Sequence, residues 1–141
     1  GNLHDIEHFE TMLSINALIP LKLSSFFSKK VKQGWIINMT DALCNHSNIR
    51  FQNYRISKHI LEYITGQQAL LLAPNIRVNG IAPGAMIPAD NETEYFKKLK
   101  TVIPLKKTGD ISSLLKAFEF IIETPYLTGE IIKIDGGWNL V

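Results

Sequence analysis

The chain has 141 residues, 45% of them apolar and 20% charged, a composition that supports one folded core and excludes disorder as the main state. Fifteen basic against thirteen acidic side chains leave a formal charge of +2, too slight to mark a nucleic-acid or anionic-membrane surface. A single cysteine, Cys44, excludes an internal disulfide and fits a reducing compartment, so the cytoplasm is the expected location, and the longest apolar runs are too short to span a bilayer.

From Asp5 to about Lys32 the apolar spacing predicts one long helix, kinked or locally opened near Pro20. "WIINM" at 35–39 follows the Gly34 break and reads as a strand buried on both faces, as in a parallel sheet. The polar, turn-prone stretch "TDALCNHSN" comes next. A second long helix is expected from about Gln52 to Leu72, stopped by Pro74. "IRVNGIAPG" at 76–84 is β-rich and ends in Pro-Gly, which predicts a second strand running into a loop. Residues 85–109 look irregular except for a short amphipathic helix through "ETEYFKKLK". Asp110 can cap a helix reaching about Glu123, with Leu114, Leu115, Phe118, Ile121 and Ile122 as its buried stripe. A third strand is expected at Glu130–Ile134, before a glycine exit. Helix, strand, helix, strand, helix, strand is the order of right-handed crossovers onto a parallel sheet, so the fold class is α/β, Rossmann-like and doubly wound, in a single partial domain over 1–141.

Tyr54 and Lys58 in "YRISK" lie one helical turn apart, which brings a phenol and an ammonium onto one face. An ammonium so placed favours the phenolate and makes Tyr54 a candidate general acid. The spacing alone is also that of an ordinary solvated pair. His4 and His8 share a helix face without a clustered third ligand and read as exposed histidines. His46, His59 and Cys44 invite no chemistry, since no organised base adjoins the thiol in sequence.

"GWIINMTDA", "YRISK", "APNIRVNGIAPG" and "TGEIIKIDGG", in that order over about 34–137, resemble the C-terminal half of the short-chain dehydrogenase/reductase family. Within it the likeness is to reductases of pteridine and dihydromonapterin or dihydrofolate type. The reason is Asp41, thirteen residues before Tyr54, where most of the family carries serine. The resemblance implies an NADPH-dependent reductase of a pterin-like small molecule with Tyr54 as proton donor. Lys58 would hold the nicotinamide ribose and tune Tyr54, and the backbone carbonyl of Asn16 would anchor a water relay to the lysine. Asp41 would accept hydrogen bonds from an aminopyrimidine. Pro83 and Gly84 would form the turn under the nicotinamide, with Met86 and Ile87 contacting its carboxamide; Pro88 stands where the family often has threonine. Two alternatives stand beside this: a generic carbonyl or 3-oxoacyl reductase in which Thr40 does the serine's work, and a non-catalytic remnant. Enoyl-thioester reductases are disfavoured, because they space tyrosine and lysine more widely.

No glycine-rich diphosphate turn occurs in the sequence, which begins with Gly1, so an upstream cofactor half is expected to be missing and the isolated chain inactive. Without that half the "WIINM" strand would lose its cover. Association with an N-terminal fragment, or homo-oligomerisation through the helices at 5–32 and 52–72, is the expected remedy.

Overall fold

A computed structural model describes residues 3–46, 50–88 and 93–141. The predicted "TDALCNHSN" turn and the start of the "ETEYFKKLK" helix fall partly outside these residues. The first helical region is α1 (Ile6–Leu13), a π-helical turn (Ser14–Leu18) and α2 (Ile19–Ser28). Pro20 has no N–H to give the carbonyl four residues back, so the helix opens one turn upstream of the proline, at Asn16. Then come β1 (Gly34–Met39), α3 (Gln52–Leu72), β2 (Ile76–Pro83), α4 (Thr93–Val102), α5 (Ile111–Glu123), β3 (Ile131–Ile134) and a short 3-10 turn (Trp138–Leu140). Asp110 caps α5 as its position in the sequence suggests, its carboxylate accepting from the Ser113 amide at 2.7 Å. That bond holds the Asp110 carboxyl below its usual range.

The three strands are parallel in the order β1-β2-β3, with Gly34 opposite Ile76 and Gly80 opposite Ile131. Alternation along β2 builds a core on each sheet face. Ile76 and Val78 pack with Ala69 of α3, Phe27 and Ile36 on one side, while Ile81 packs with Ala117 and Ile121 of α5, Ile37 and Met39 on the other. Polar groups tie the layers. Asn38 on β1 donates to Thr65 of α3 at 2.9 Å, and the Arg77 guanidinium donates to the carbonyls of Ile121, Ile122 and Leu127, closing the end of α5.

Two expectations need correction. Only Asn38 of β1 is buried and Trp35 is 45% exposed, because β1 is an edge strand and among the described residues no element covers its outer side. On α5 the buried face is centred on Ala117 and Ile121; Leu115 (54% exposed) and Ile122 turn away from the sheet. Among the described residues no helix is long and apolar enough to cross a membrane.

Candidate active site

Strand pairing continues past the end of β1: the Thr40 amide donates to the Ile81 carbonyl at 2.8 Å and the Ala42 amide to the Pro83 carbonyl at 3.2 Å. This extended backbone sends Thr40 and Asp41 to opposite sides. Thr40 is buried, its hydroxyl 3.3 Å from both the Ile81 carbonyl oxygen and Oε1 of Glu62 on α3. The Asp41 carboxylate turns toward the first turn of α3, where Oδ1 accepts from the Leu43 amide at 2.7 Å and Oδ2 accepts from the Tyr54 hydroxyl at 3.1 Å.

Asp41 and Tyr54 share a cleft of about 360 Å³ with Pro83 and Gly84 at the end of β2. Phe51, Arg55, Tyr95 and Trp138 complete its walls, and sequence reasoning had passed over these residues. The one signal for Trp138 is the preceding glycine pair. Gly136 and Gly137 sit at φ 66° and 85°, left-handed backbone that folds the chain after β3 back toward the cleft. Asp135 holds that turn by accepting from the Gly137 amide and from both nitrogens of Asn139. Burial works to raise the Asp135 carboxyl, but these bonds outweigh it and leave it low. A Cβ on Gly84 would lie 2.8 Å from the Cα of Asp135, so only glycine lets the β2 exit and the β3 exit approach so closely. Met86 packs toward Gly109 and Ile87 is 64% exposed; neither lines the cleft.

Lys58 and Asn16 line a second, largely apolar cleft of about 460 Å³ with Ile15, Leu23, Phe27 and Trp35, on the uncovered side of β1. The ammonium donates to the Met39 carbonyl at 2.8 Å and lies 5.8 Å from the centre of the Tyr54 ring. Asn16 donates from Nδ2 to the Ser57 hydroxyl at 3.0 Å, and Ser57 donates in turn to the Tyr54 carbonyl at 2.7 Å. The Tyr54–Lys58 turn therefore forms a wall between the two clefts, with Asp41 on one side and Asn16 on the other.

The electrostatics differ from the expectation that Lys58 eases loss of the phenolic proton. Burial, then the charge and hydrogen bond of Asp41, push the Tyr54 phenol well above its ordinary range. Burial lowers Lys58, opposed by the charge of Asp41. In this arrangement Tyr54 is held neutral, with its proton shared toward a carboxylate.

The family whose model is described as Enoyl-(Acyl carrier protein) reductase matches residues 2–139. Pteridine reductase 1 of Leishmania tarentolae is 30% identical over 139 residues, covering 89% of this chain and 48% of its own length. The short-chain dehydrogenase/reductase homolog YusR of Bacillus subtilis (strain 168) is 33% identical over 116 residues, covering 81% of this chain and 90% of its own. Among solved structures, FolM alternative dihydrofolate reductase 1 of Brucella suis in complex with NADP superposes with a TM-score of 0.91 at 28% identity, over 97% of this chain and 57% of its own. This chain thus spans about half the length of the pteridine reductase and most of the length of YusR.

Proposed function

Because this chain belongs to the short-chain dehydrogenase/reductase family, we propose that it forms the substrate side of an NADPH-dependent reductase of a pterin-like ring, with Tyr54 as the proton donor. The observation that carries the reading is the Tyr54–Asp41 hydrogen bond at the mouth of a cleft walled by aromatic side chains. The likeness to a pteridine reductase and to an NADP-bound dihydrofolate reductase supports the same chemistry.

A flat heteroaromatic ring suits the cleft between Tyr95, Phe51 and Trp138. Asp41, an acceptor only, takes hydrogen bonds from the amine and ring N–H of an aminopyrimidine. Those donors replace Tyr54 on the carboxylate and release its hydroxyl to face the ring nitrogen. A phenol is protonated at neutral pH, and a substrate that takes over the Asp41 carboxylate relieves part of the upward displacement that opposes release of the proton. The Lys58 ammonium stabilises the phenolate left behind. The Asn16 carbonyl, which has no Pro20 amide to receive, would anchor a water that returns a proton by way of Lys58.

The donor set fits the nicotinamide riboside end of the cofactor. Lys58 has two ammonium hydrogens beyond the one given to Met39, and the Tyr54 hydroxyl lies one turn away. Pro83 and Gly84 keep the turn beside it close to β3, with Met86 and Ile87 offering backbone groups further along the loop. When bound, NADPH supplies the hydride. The sequence contains no glycine-rich turn for its diphosphate, so a dinucleotide-binding segment, in the same chain or another, completes the site and covers β1. Alone, these 141 residues are inactive; they associate with such a segment, or with copies of themselves through α1–α2 and α3, and work in the cytoplasm.

The alternative, a carbonyl or 3-oxoacyl reductase relying on Thr40, is less well supported, since that hydroxyl is committed to Glu62 and Ile81 on the far side of the strand. A fluorescence titration separates the readings. A dihydropterin should quench Trp138 in the purified chain, and Asp41→Asn should weaken its binding by about tenfold or more, as loss of a charge-assisted bond requires. With a dinucleotide-binding half added, dihydropterin-dependent NADPH oxidation should appear and vanish in Tyr54→Phe. Binding indifferent to Asp41 sinks the pterin reading, and NADPH binding without turnover in any combination points to a non-catalytic remnant.

A further inference from the structure

The loop that carries Asp41 continues along α3 and sets Cys44 beside two residues of that helix. The thiol of Cys44, a ring nitrogen of His59 and a carboxylate oxygen of Glu62 all lie within 4.8 Å of one another. His59 and Glu62 are three residues apart on one helical face, with Nδ1 3.6 Å from Oε2. Sequence reading dismissed Cys44 and His59 separately, because their partners converge only when the loop after β1 folds onto α3. Cys44 is 7% exposed, while the His59 side chain is 58% exposed, so the group is closed behind the thiol and open at the imidazole.

We propose that Cys44, His59 and Glu62 bind a thiophilic divalent cation of the Zn²⁺ class, with water as the fourth ligand. Thiolate, imidazole and carboxylate together suit Zn²⁺ and not the all-oxygen preference of Ca²⁺ or Mg²⁺. With Zn–S about 2.3 Å and Zn–N about 2.0 Å, tetrahedral ligands stand roughly 3.3–3.8 Å apart, so an inward movement of about 1 Å, chiefly by the exposed imidazole, closes the site. The carboxylate is already oriented from outside: the Thr40 hydroxyl and the Asn45 amide each lie 3.3 Å from one of its oxygens.

On binding, the Cys44 S–H proton leaves to solvent as the Zn–S bond forms, His59 ligates as neutral imidazole and Glu62 as carboxylate; nothing is oxidised or reduced. Without a cation the Cys44 thiol is pushed up to about 12, by burial first and then by the Glu62 carboxylate; Asp41 adds to this and Lys133 opposes it. A cation supplies the positive charge that these groups lack. Because Asp41 lies three residues before Cys44, occupancy also ties the loop under the cleft to α3.

Cobalt reads this directly. Adding Co²⁺ to the reduced, purified chain should produce a near-ultraviolet thiolate-to-cobalt charge-transfer band with intense tetrahedral visible bands, erased by Zn²⁺. Cys44→Ser should abolish the charge-transfer band. His59→Gln, at an exposed imidazole, and Glu62→Gln, an isosteric change that still accepts from Thr40, should each weaken Zn²⁺ binding by roughly tenfold or more with unchanged circular dichroism. Absence of the band at millimolar Co²⁺ overturns the proposal. So does a band whose strength and affinity survive both helix substitutions, which would mean that the thiol binds metal by itself.

Discussion

The two clefts on either side of the Tyr54–Lys58 turn differ in how much of them the chain builds for itself. On the Asp41 side the described lining comes from the segment just past β1, the end of β2, the start of α3, Tyr95 of α4 and Trp138 after β3. Beside Lys58 and Asn16 the cleft opens across the outer side of β1, where Trp35 (45%) and Leu23 (64%) stand exposed. The first is a site whose polar groups are already paired. The second is an apolar face left open among the described residues, the one that the proposed association would cover.

The contrast can be broken most forcefully from beneath the finished cleft. Ile121 is fully buried against Ile81, so Ile121→Ala should cost about 2–5 kcal/mol in denaturant unfolding. Gly84→Ala should follow at about 1–3 kcal/mol, since the new methyl meets backbone that cannot swing aside, and pterin quenching of Trp138 should go with it. On the uncovered side Trp35→Ser should cost less than either, about 1 kcal/mol, yet weaken association measured by light scattering. A loss of several kcal/mol there, with association unchanged, would mean that the β1 face is a completed surface.

Most of the frame was legible from the chain alone, because it rests on local signals. Pro74 ends α3, Asp110 caps α5, and the stretches expected as strands at 35–39, 76–84 and 130–134 become β1, β2 and β3 to within a residue at each end. The burial of α5 was misread at Leu115 and Ile122, since helical period alone does not fix which side of a wide apolar stripe meets the sheet. Asp41 entered the site through the family resemblance, as a substrate-facing group; neither its bond to Tyr54 nor the electrostatics that follow were anticipated. One helical turn suggested that Lys58 would govern the phenol, whereas burial first, and then the charge and hydrogen bond of Asp41, dominate. Tyr95 and the Cys44–His59–Glu62 group were invisible in sequence and Trp138 was marked only by the glycine pair before it, as each depends on segments that meet only in the folded chain.

Tyr54 and Asp41 acting as one proton-holding unit is the central claim, and a carbon-13 tyrosine titration, assigned with Tyr54→Phe, tests it most directly. A phenol raised on folding stabilises the folded chain below the ordinary tyrosine range and loses that contribution as pH climbs from that range through the raised folded-state value. The account predicts that Tyr54 resists ionisation well past that range in the parent chain, and that Asp41→Asn brings it down measurably while reducing alkaline destabilisation. A Tyr54 that titrates in the ordinary tyrosine range in both proteins would contradict it.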